Sequence, residues 1–122
     1  MQKPATKKNT IIFFAFLSSL ILGGVLYAMN QPKDIIFTAA ITSFNNFIAD
    51  YPGTPYREEA FYLRFDAAYS YAINSYRNLM QERLQSALEY YQAYKKSYPE
   101  GEYMANVDES YQDIQARLKT FN

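Results

Sequence analysis

Two segments of this chain, 47 positions apart, carry the same pattern of small, aromatic and proline residues without a gap. The matched pairs are Ala40 and Ala87, Phe44 and Tyr91, Phe47 and Tyr94, Tyr51 and Tyr98, Pro52 and Pro99, and Tyr56 and Tyr103. A repeat with a fixed period of roughly 20–50 residues is the sequence signature of stacked supersecondary units. Within each unit the apolar residues recur at steps of three and four, the period of one face of a helix. The repeat therefore predicts an all-α fold of stacked helical hairpins.

The spacing within each segment is typical of the second helix of a tetratricopeptide unit. The small residue, Ala40 or Ala87, lets a neighbouring helix approach, and the aromatic residues that follow fill the groove beside it. Pro52 and Pro99 end the helix, because proline cannot continue it. We therefore predict tetratricopeptide-like hairpins. Since such arrays present extended binding surfaces, we expect binding rather than catalysis.

Four amphipathic helices are predicted after Pro32. Their expected ranges are about 34–50, 56–76, 82–97 and 102–118, with a short linker at 78–81. The core positions expected on the second helix are Ala60, Phe61, Leu63, Ala67, Ala68, Tyr71 and Ala72. In a longer array an earlier repeat would cover one face of the first helix, so we expect that face to be open, covered by a partner or capped.

The N-terminal part of the chain contains an uncharged run of 19 residues, from Ile11 to Met29. At about 1.5 Å per helical residue this run approaches the roughly 30 Å of a bilayer core, so residues 11–29 are predicted to form a hydrophobic helix in the membrane. The alternative is a signal peptide cleaved after Ala28. We predict that residues 1–32 are a membrane anchor or an uncleaved signal segment, and residues 33–122 a tetratricopeptide-like repeat domain.

The placement of lysine predicts the orientation of the chain. Lys3, Lys7 and Lys8 precede the apolar run, whereas only Lys33, offset by Asp34, follows it closely. Positive charge concentrates on the cytoplasmic side of a membrane segment. We therefore expect the repeat domain to lie outside the cytoplasm.

Composition argues against most kinds of chemistry. The chain contains neither histidine nor cysteine, which removes the usual general base, the usual catalytic thiol and most ligands of transition metals. The adjacent acids Glu58-Glu59 and Asp108-Glu109 are interpreted as helix-start acids and solvated positions, because neighbours on a helix point about 100° apart. We expect no enzyme activity, and hence no catalytic residue, cofactor, metal or small-molecule substrate.

Charge also limits the kind of partner. Residues 33–122 carry nine basic and twelve acidic side chains, a net charge of −3. Proteins that bind nucleic acid present clusters of lysine and arginine to the phosphates. We therefore expect no nucleic acid among the partners.

Tyrosines on the second predicted helix supply the candidate partner-binding residues. Tyr62, Tyr69 and Tyr76 recur every seven positions, and Arg64 lies between the first two. Tyrosine and arginine dominate protein interfaces, because they combine a large contact area with hydrogen-bonding ends. Tyr62, Arg64 and Tyr69 are therefore predicted to receive a protein partner. The alternative is that these side chains pack on neighbouring helices and expose only their polar ends.

Five short motifs occur together between residues 38 and 120. They are Tyr51-Pro52, Tyr56-Arg57-Glu58-Glu59-Ala60, Glu82-Arg83-Leu84, Ala87-Leu88 and Tyr98-Pro99. In this combination the chain resembles the C-terminal repeats of the outer-membrane assembly factor D family (BamD/YfiO), in the form found in Bacteroidetes-type bacteria. Members of that family are periplasmic lipoproteins with tetratricopeptide-like repeats, and they bind the periplasmic domains of the barrel-inserting subunit. The resemblance implies a non-enzymatic scaffold in the bacterial envelope, with the repeat domain in the periplasm and those domains as partners.

The chain departs from this family in two respects. Family members begin with a lipid-modified cysteine, whereas this chain has an apolar run and no cysteine. Family members also have more repeats. Two functions are therefore expected: a scaffold of outer-membrane β-barrel assembly, or an inner-membrane anchored repeat protein that serves another envelope complex, such as secretion or division machinery.

Overall fold

The computed structural model describes residues 33–122. They form the helices α1 (Lys33–Asp50), α2 (Arg57–Ile73), α3 (Arg77–Ser97) and α4 (Met104–Lys119). The all-α prediction is thus confirmed for this part of the chain. Over the same residues, no helix combines the length and the apolar character needed to cross a bilayer. The predicted segment 1–32, with the apolar helix expected at 11–29, lies outside the described residues.

Two helices end where the Tyr-Pro pairs predict. α1 ends at Asp50 and α3 at Ser97, each one residue before a Tyr-Pro pair. The backbone N–H of Tyr51 and that of Tyr98 each donate to the carbonyl four residues earlier, at 3.0 and 2.7 Å. The next residue is proline, which has no N–H to continue the series. Local chemistry alone therefore terminates both helices.

The turn between α2 and α3 lies earlier than predicted. α2 ends at Ile73 rather than near Tyr76, because the Ser75 N–H bonds back into the helix at 3.1 Å and closes its last turn. Tyr76 has extended backbone and stands at the N-cap of α3. Residues 78–81, predicted as a linker, consequently belong to the first turns of α3. The linker prediction is therefore wrong.

Consecutive helices run antiparallel. Phe37 in the first turns of α1 contacts Tyr71 near the end of α2, with ring centroids 5.6 Å apart. Phe61 near the start of α2 meets Tyr98 at the end of α3 edge to face, also at 5.6 Å. At the opposite ends of these two helices, the Arg83 guanidinium lies 4.0 Å from the Tyr71 ring centroid. Each helix therefore folds back along the one before it.

Helices two apart run parallel and also touch. Tyr62 on α2 stacks on Tyr103, just before α4, with ring centroids 4.4 Å apart and planes within 4°. Two turns later, the Tyr69 hydroxyl donates a hydrogen bond to Asp113 on α4. α1 and α3 are joined in the same way near their N-terminal ends, by the ion pair that Arg83 forms with α1. α1 and α2 therefore each contact both the next helix and the one after it, as in stacked helical hairpins.

The core lies between α2, α3 and α4. Its buried members are Phe61, Phe65, Ala68, Ala72, Leu84, Ala87, Tyr91, Tyr94, Val107 and Ile114. Tyr94 and Phe65 are the largest side chains that are fully enclosed. Apolar side chains of α1, such as Ile41 and Ile48, pack against this core but remain half-buried. α1 is therefore the least covered of the described helices.

Candidate functional site

An apolar groove of about 370 Å³ opens between α1 and α2. Its lining consists of side chains from both helices and from the residue before α2: Ser43, Phe44, Phe47, Tyr56, Glu59, Ala60 and Leu63. Phe44, Phe47 and Leu63 are half-buried, so each of them presents apolar surface to the groove. Within residues 33–122, no side chain fills this space.

Exposed apolar side chains extend the groove along α1. Tyr56 and Tyr51, at one end, are 64% and 59% exposed. Ile36, at the other end, is 41% exposed and stands two helical turns before Ser43 on the same face of α1. Contiguous exposed apolar surface marks interaction sites, whereas single exposed apolar side chains are ordinary. The groove and its extensions are therefore the candidate functional site.

The internal repeat divides the described helices into a first unit, α1 and α2, and a second unit, α3 and α4. It relates the groove of the first unit to a filled part of the core in the second unit. Four residues that line the groove have tyrosines as their counterparts in the second unit. Ser43, Phe44, Phe47 and Tyr56 correspond to Tyr90, Tyr91, Tyr94 and Tyr103. All four counterparts contact α2, through Arg64, Phe65, Glu58 and Tyr62 respectively. α2 therefore fills the space beside α3 and α4. The equivalent space beside α1 and α2 is the groove, which no described residue fills.

Burial of the repeat-defining residues shows the same asymmetry. Ala87 is fully buried, but its counterpart Ala40 is only half-buried. Tyr98 is half-buried, whereas its counterpart Tyr51 lies mostly in solvent. Within residues 33–122, neighbouring helices therefore cover this sequence pattern more completely in the second unit than in the first.

Acidic side chains border the groove. Glu59 is part of its lining. Asp50 and Asp66 stand one helical turn beyond Phe47 and Leu63, and both are exposed. Partial desolvation raises the pKa of the Asp66 carboxyl. An occupant that carries positive charge is thus favoured over a negatively charged one.

Tyr62 and Tyr69, two of the predicted partner-binding residues, face α4. Burial raises the pKa of the Tyr62 phenol. Burial and the hydrogen bond to Asp113 raise the pKa of Tyr69 to about 12. The Asp113 carboxylate also accepts a hydrogen bond from Arg117 Nε at 2.7 Å. Both tyrosines stay half-buried, and their contact with a partner stays a prediction.

Arg64, the third predicted residue, lies on a different face of α2. Its Nη1 donates to Asn45 Oδ1 on α1 at 2.9 Å. The guanidinium lies 4.7 and 4.5 Å from the ring centroids of Phe61 and Tyr90, and burial lowers its pKa. The structure thus brings Tyr62 and Tyr69 together beside α4, and places Arg64 among α1, α2 and α3.

A half-buried carboxylate that the sequence predicted only as a helix-start acid joins the ends of three helices. Glu58 accepts hydrogen bonds from the Tyr94 hydroxyl at 2.9 Å and from the Glu102 N–H at 2.7 Å. The Tyr94 oxygen in turn accepts the N–H of Tyr103 at 3.0 Å. A Cβ at Gly101 would collide with both side-chain oxygens. Glu58 is therefore more than the helix-start acid that was predicted, and its pairing with a buried tyrosine depends on tertiary packing.

Comparisons with models of protein families, with curated proteins and with solved structures find no match to this chain. The resemblance to the assembly factor D family therefore rests on the motifs of residues 38–120 alone and stays a prediction.

Proposed function

We propose that this chain is a non-enzymatic protein–protein interaction scaffold of the bacterial envelope, which resembles the outer-membrane β-barrel assembly factor D. In this proposal residues 33–122 are a tetratricopeptide-like repeat domain in the periplasm, and residues 11–29 contact the membrane. The partners are proteins, among them the periplasmic domains of the barrel-assembly subunit.

The groove between α1 and α2 is the observation that carries this proposal. Phe44, Phe47 and Tyr56 line a space whose counterpart in the second unit holds a helix. Grooves of this type receive the apolar face of a partner helix, with anchor residues at helical spacing. An interaction scaffold requires such a surface.

The order of the helices supports the repeat part of the proposal. Antiparallel neighbours, with parallel contacts between helices two apart, are what stacked helical hairpins produce. A shift of 47 residues aligns the range of α1 with that of α3, and the range of α2 with that of α4. The first and second units thereby correspond helix by helix.

The second candidate is an inner-membrane anchored repeat protein that scaffolds another envelope complex. The uncharged run from Ile11 to Met29 favours this candidate, because its length suits a membrane-spanning helix.

Membrane fractionation followed by affinity purification tests both candidates. A tagged full chain is expressed in a Bacteroidetes-type bacterium, and its membranes are solubilised gently. The first candidate requires recovery of the barrel-assembly subunit with the chain. The second requires an intact N-terminus in the inner membrane with a different complex. A chain that is recovered from the cytoplasm without partners contradicts both.

A matched pair of variants makes this purification specific. Phe47→Asp places a charge in the groove, whereas Tyr76→Asp alters a side chain that is 84% exposed outside it. Loss of the partner from the first variant alone would assign the interaction to the groove.

A further inference from the structure

We propose that the groove between α1 and α2 is the docking site for a single helix of a partner protein, and that this helix carries lysine or arginine beside an apolar stripe. The inference rests on the proposed scaffold function and specifies the chemistry of its partner at one surface. The bound helix runs antiparallel to α1 and parallel to α2.

The second unit determines the direction of the bound helix. α2 packs antiparallel to α3 and parallel to α4, and it contacts both helices at once. By the 47-residue repeat, α1 corresponds to α3 and α2 corresponds to α4. A helix that packs on α1 and α2 in the way that α2 packs on α3 and α4 therefore runs antiparallel to α1 and parallel to α2.

α2 also shows which side chains such a helix needs. Its rings meet the second unit in three pairs: Phe61 with Tyr98, Phe65 with Tyr91, and Tyr62 with Tyr103. The corresponding positions are Tyr51, which lies beside the groove residue Phe47, and Phe44 and Tyr56, which line the groove. The partner helix therefore needs large apolar side chains at positions i, i+1 and i+4.

The carboxylates beside the groove add the requirement for positive charge. Asp66 corresponds to Asp113, which accepts the hydrogen bond of Tyr69. A basic side chain at the position equivalent to Tyr69 would reach Asp66. Glu59 and Asp50 add two more negative charges, while the arginines of α2 bond toward α1 and α3. An apolar helix flanked by lysine or arginine therefore complements the groove.

Two other occupants are conceivable on apolar grounds alone. Residues 11–29 of the same chain contain no charged residue, and Lys3, Lys7 and Lys8 all precede this run, so a helix formed by it would carry no basic side chain beside its apolar stripe. A second copy of the chain brings more acid than base in residues 33–122. The charge of the groove thus favours a separate, basic helix over both.

The test uses two synthetic peptides that copy α2, residues 57–73, and differ at one position. One peptide carries Tyr69→Arg and the other Tyr69→Glu. Each labelled peptide is titrated against the full chain in lipid nanodiscs, and binding is followed by fluorescence anisotropy. The arginine peptide should bind about five-fold more tightly, because an exposed ion pair contributes about 0.2–1 kcal/mol and a like-charge pair opposes binding.

Variants of the full chain locate the bound peptide. Phe47→Asp should weaken both peptides about ten-fold or more, because it places a charge on the apolar wall. Asp66→Asn, at an exposed position, should reduce the difference between the two affinities, because it removes the carboxylate expected to face position 69 of the peptide. Tyr76→Asp should leave both affinities unchanged. The melting curves of all variants are recorded, so that loss of fold is separated from loss of binding.

Three results would overturn the proposal. The first is no binding of either peptide at micromolar concentration, and the second is an equal affinity for both peptides in the unaltered chain. The third comes from a photo-crosslinker at position 47 that joins residues 11–29 or a second copy rather than the peptide. The scaffold function fails by a different measurement, the absence of any envelope protein after purification, so the two failures can be distinguished.

Discussion

The hydroxyl of Tyr94 donates a hydrogen bond to the carboxylate of Glu58 across 2.9 Å, and this pair ties three helices together. Glu58 lies in the first turn of α2, and Tyr94 in the last turn of α3. Both side-chain oxygens also accept backbone N–H groups immediately before α4, from Glu102 and Tyr103. α4 has no N-cap side-chain bond of its own, so this pair fixes the place where α4 begins.

Glu58→Ala should therefore destabilise the domain by about 1–3 kcal/mol, because it leaves the buried Tyr94 hydroxyl and an N–H without their acceptor. Glu59→Ala, next to it but exposed, should change stability by no more than about 0.5 kcal/mol. Urea unfolding followed by circular dichroism measures both variants. Equal losses would show that the Tyr94–Glu58 pair has no special role.

Ala87→Trp should destabilise the domain more than Ala40→Trp. Ala87 is fully buried in the core, where overpacking typically costs about 1–3 kcal/mol. Ala40 is only half-buried, so an indole there should displace fewer side chains of the described residues. Thermal unfolding of the two full-length variants makes the comparison. An equally large loss at position 40 would mean that the first unit is as tightly covered as the second.

Tyr69→Phe separates a binding role from a packing role at the predicted partner site. The variant removes only the hydroxyl and leaves Asp113 paired with Arg117, so about 1 kcal/mol of stability should be lost. Tyr62→Ala and Arg64→Ala remove whole side chains that contact neighbouring helices, and should cost more. Melting curves and affinity purification are recorded for each variant. Partner recovery that is unchanged in all three would remove Tyr62, Arg64 and Tyr69 from the binding surface.

Alkaline pH should unfold the domain through its buried and half-buried tyrosines. Burial and a carboxylate neighbour raise the pKa of Tyr69 and of Tyr94 to about 12, and raise the pKa of Tyr91 as well. Folding favours the neutral phenol, so this contribution to stability is fully present below the ordinary pKa near 10 and is lost as pH rises through the folded value.

Unfolding should therefore begin between about pH 10 and pH 12, and tyrosinate absorbance should rise together with the loss of helix. Tyr94→Phe should reduce the steepness of the pH dependence, whereas Tyr76→Phe, at an exposed ring, should not. If all tyrosinate formed before any helix was lost, the buried hydroxyls would not control alkaline stability.

Helix ends were predictable from the sequence only where local chemistry decides them. Pro52 and Pro99 stop α1 and α3, because proline lacks a donor wherever it occurs. No glycine or proline marks the turn before α3, and its position depends on backbone bonds at the end of α2. The predicted linker at 78–81 was therefore wrong.

Core membership on α2 was predictable in part. Aromatic and aliphatic residues occur on every face of α2, so periodicity alone does not decide which of its rings is enclosed. Phe65, which was not among the expected core positions, is 1% exposed. Leu63 and Tyr71, which were expected in the core, are half-buried. Packing against α3 and α4 decides between them.

The candidate sites show the same limit. Tyr62 and Arg64 are two positions apart, so helix geometry turns them about 160° away from each other, and they contact different helices. Their residue types suggested that Tyr62 and Arg64 belong to one site, but helix geometry places them on opposite sides of α2. The repeat predicted that one face of α1 would be open, covered by a partner or capped, and within residues 33–122 no side chain fills the groove beside it. The part that Tyr56 and Leu63 play in this groove required the structure.

Reporter fusions after Asn122 determine on which side of the membrane the proposed scaffold domain lies. We expect alkaline phosphatase fused there to be active and green fluorescent protein fused there to be dark, because Lys3, Lys7 and Lys8 precede the apolar run. Replacing these lysines with glutamate should weaken both effects. A fluorescent fusion with an inactive phosphatase would place the domain in the cytoplasm, and would contradict both envelope functions.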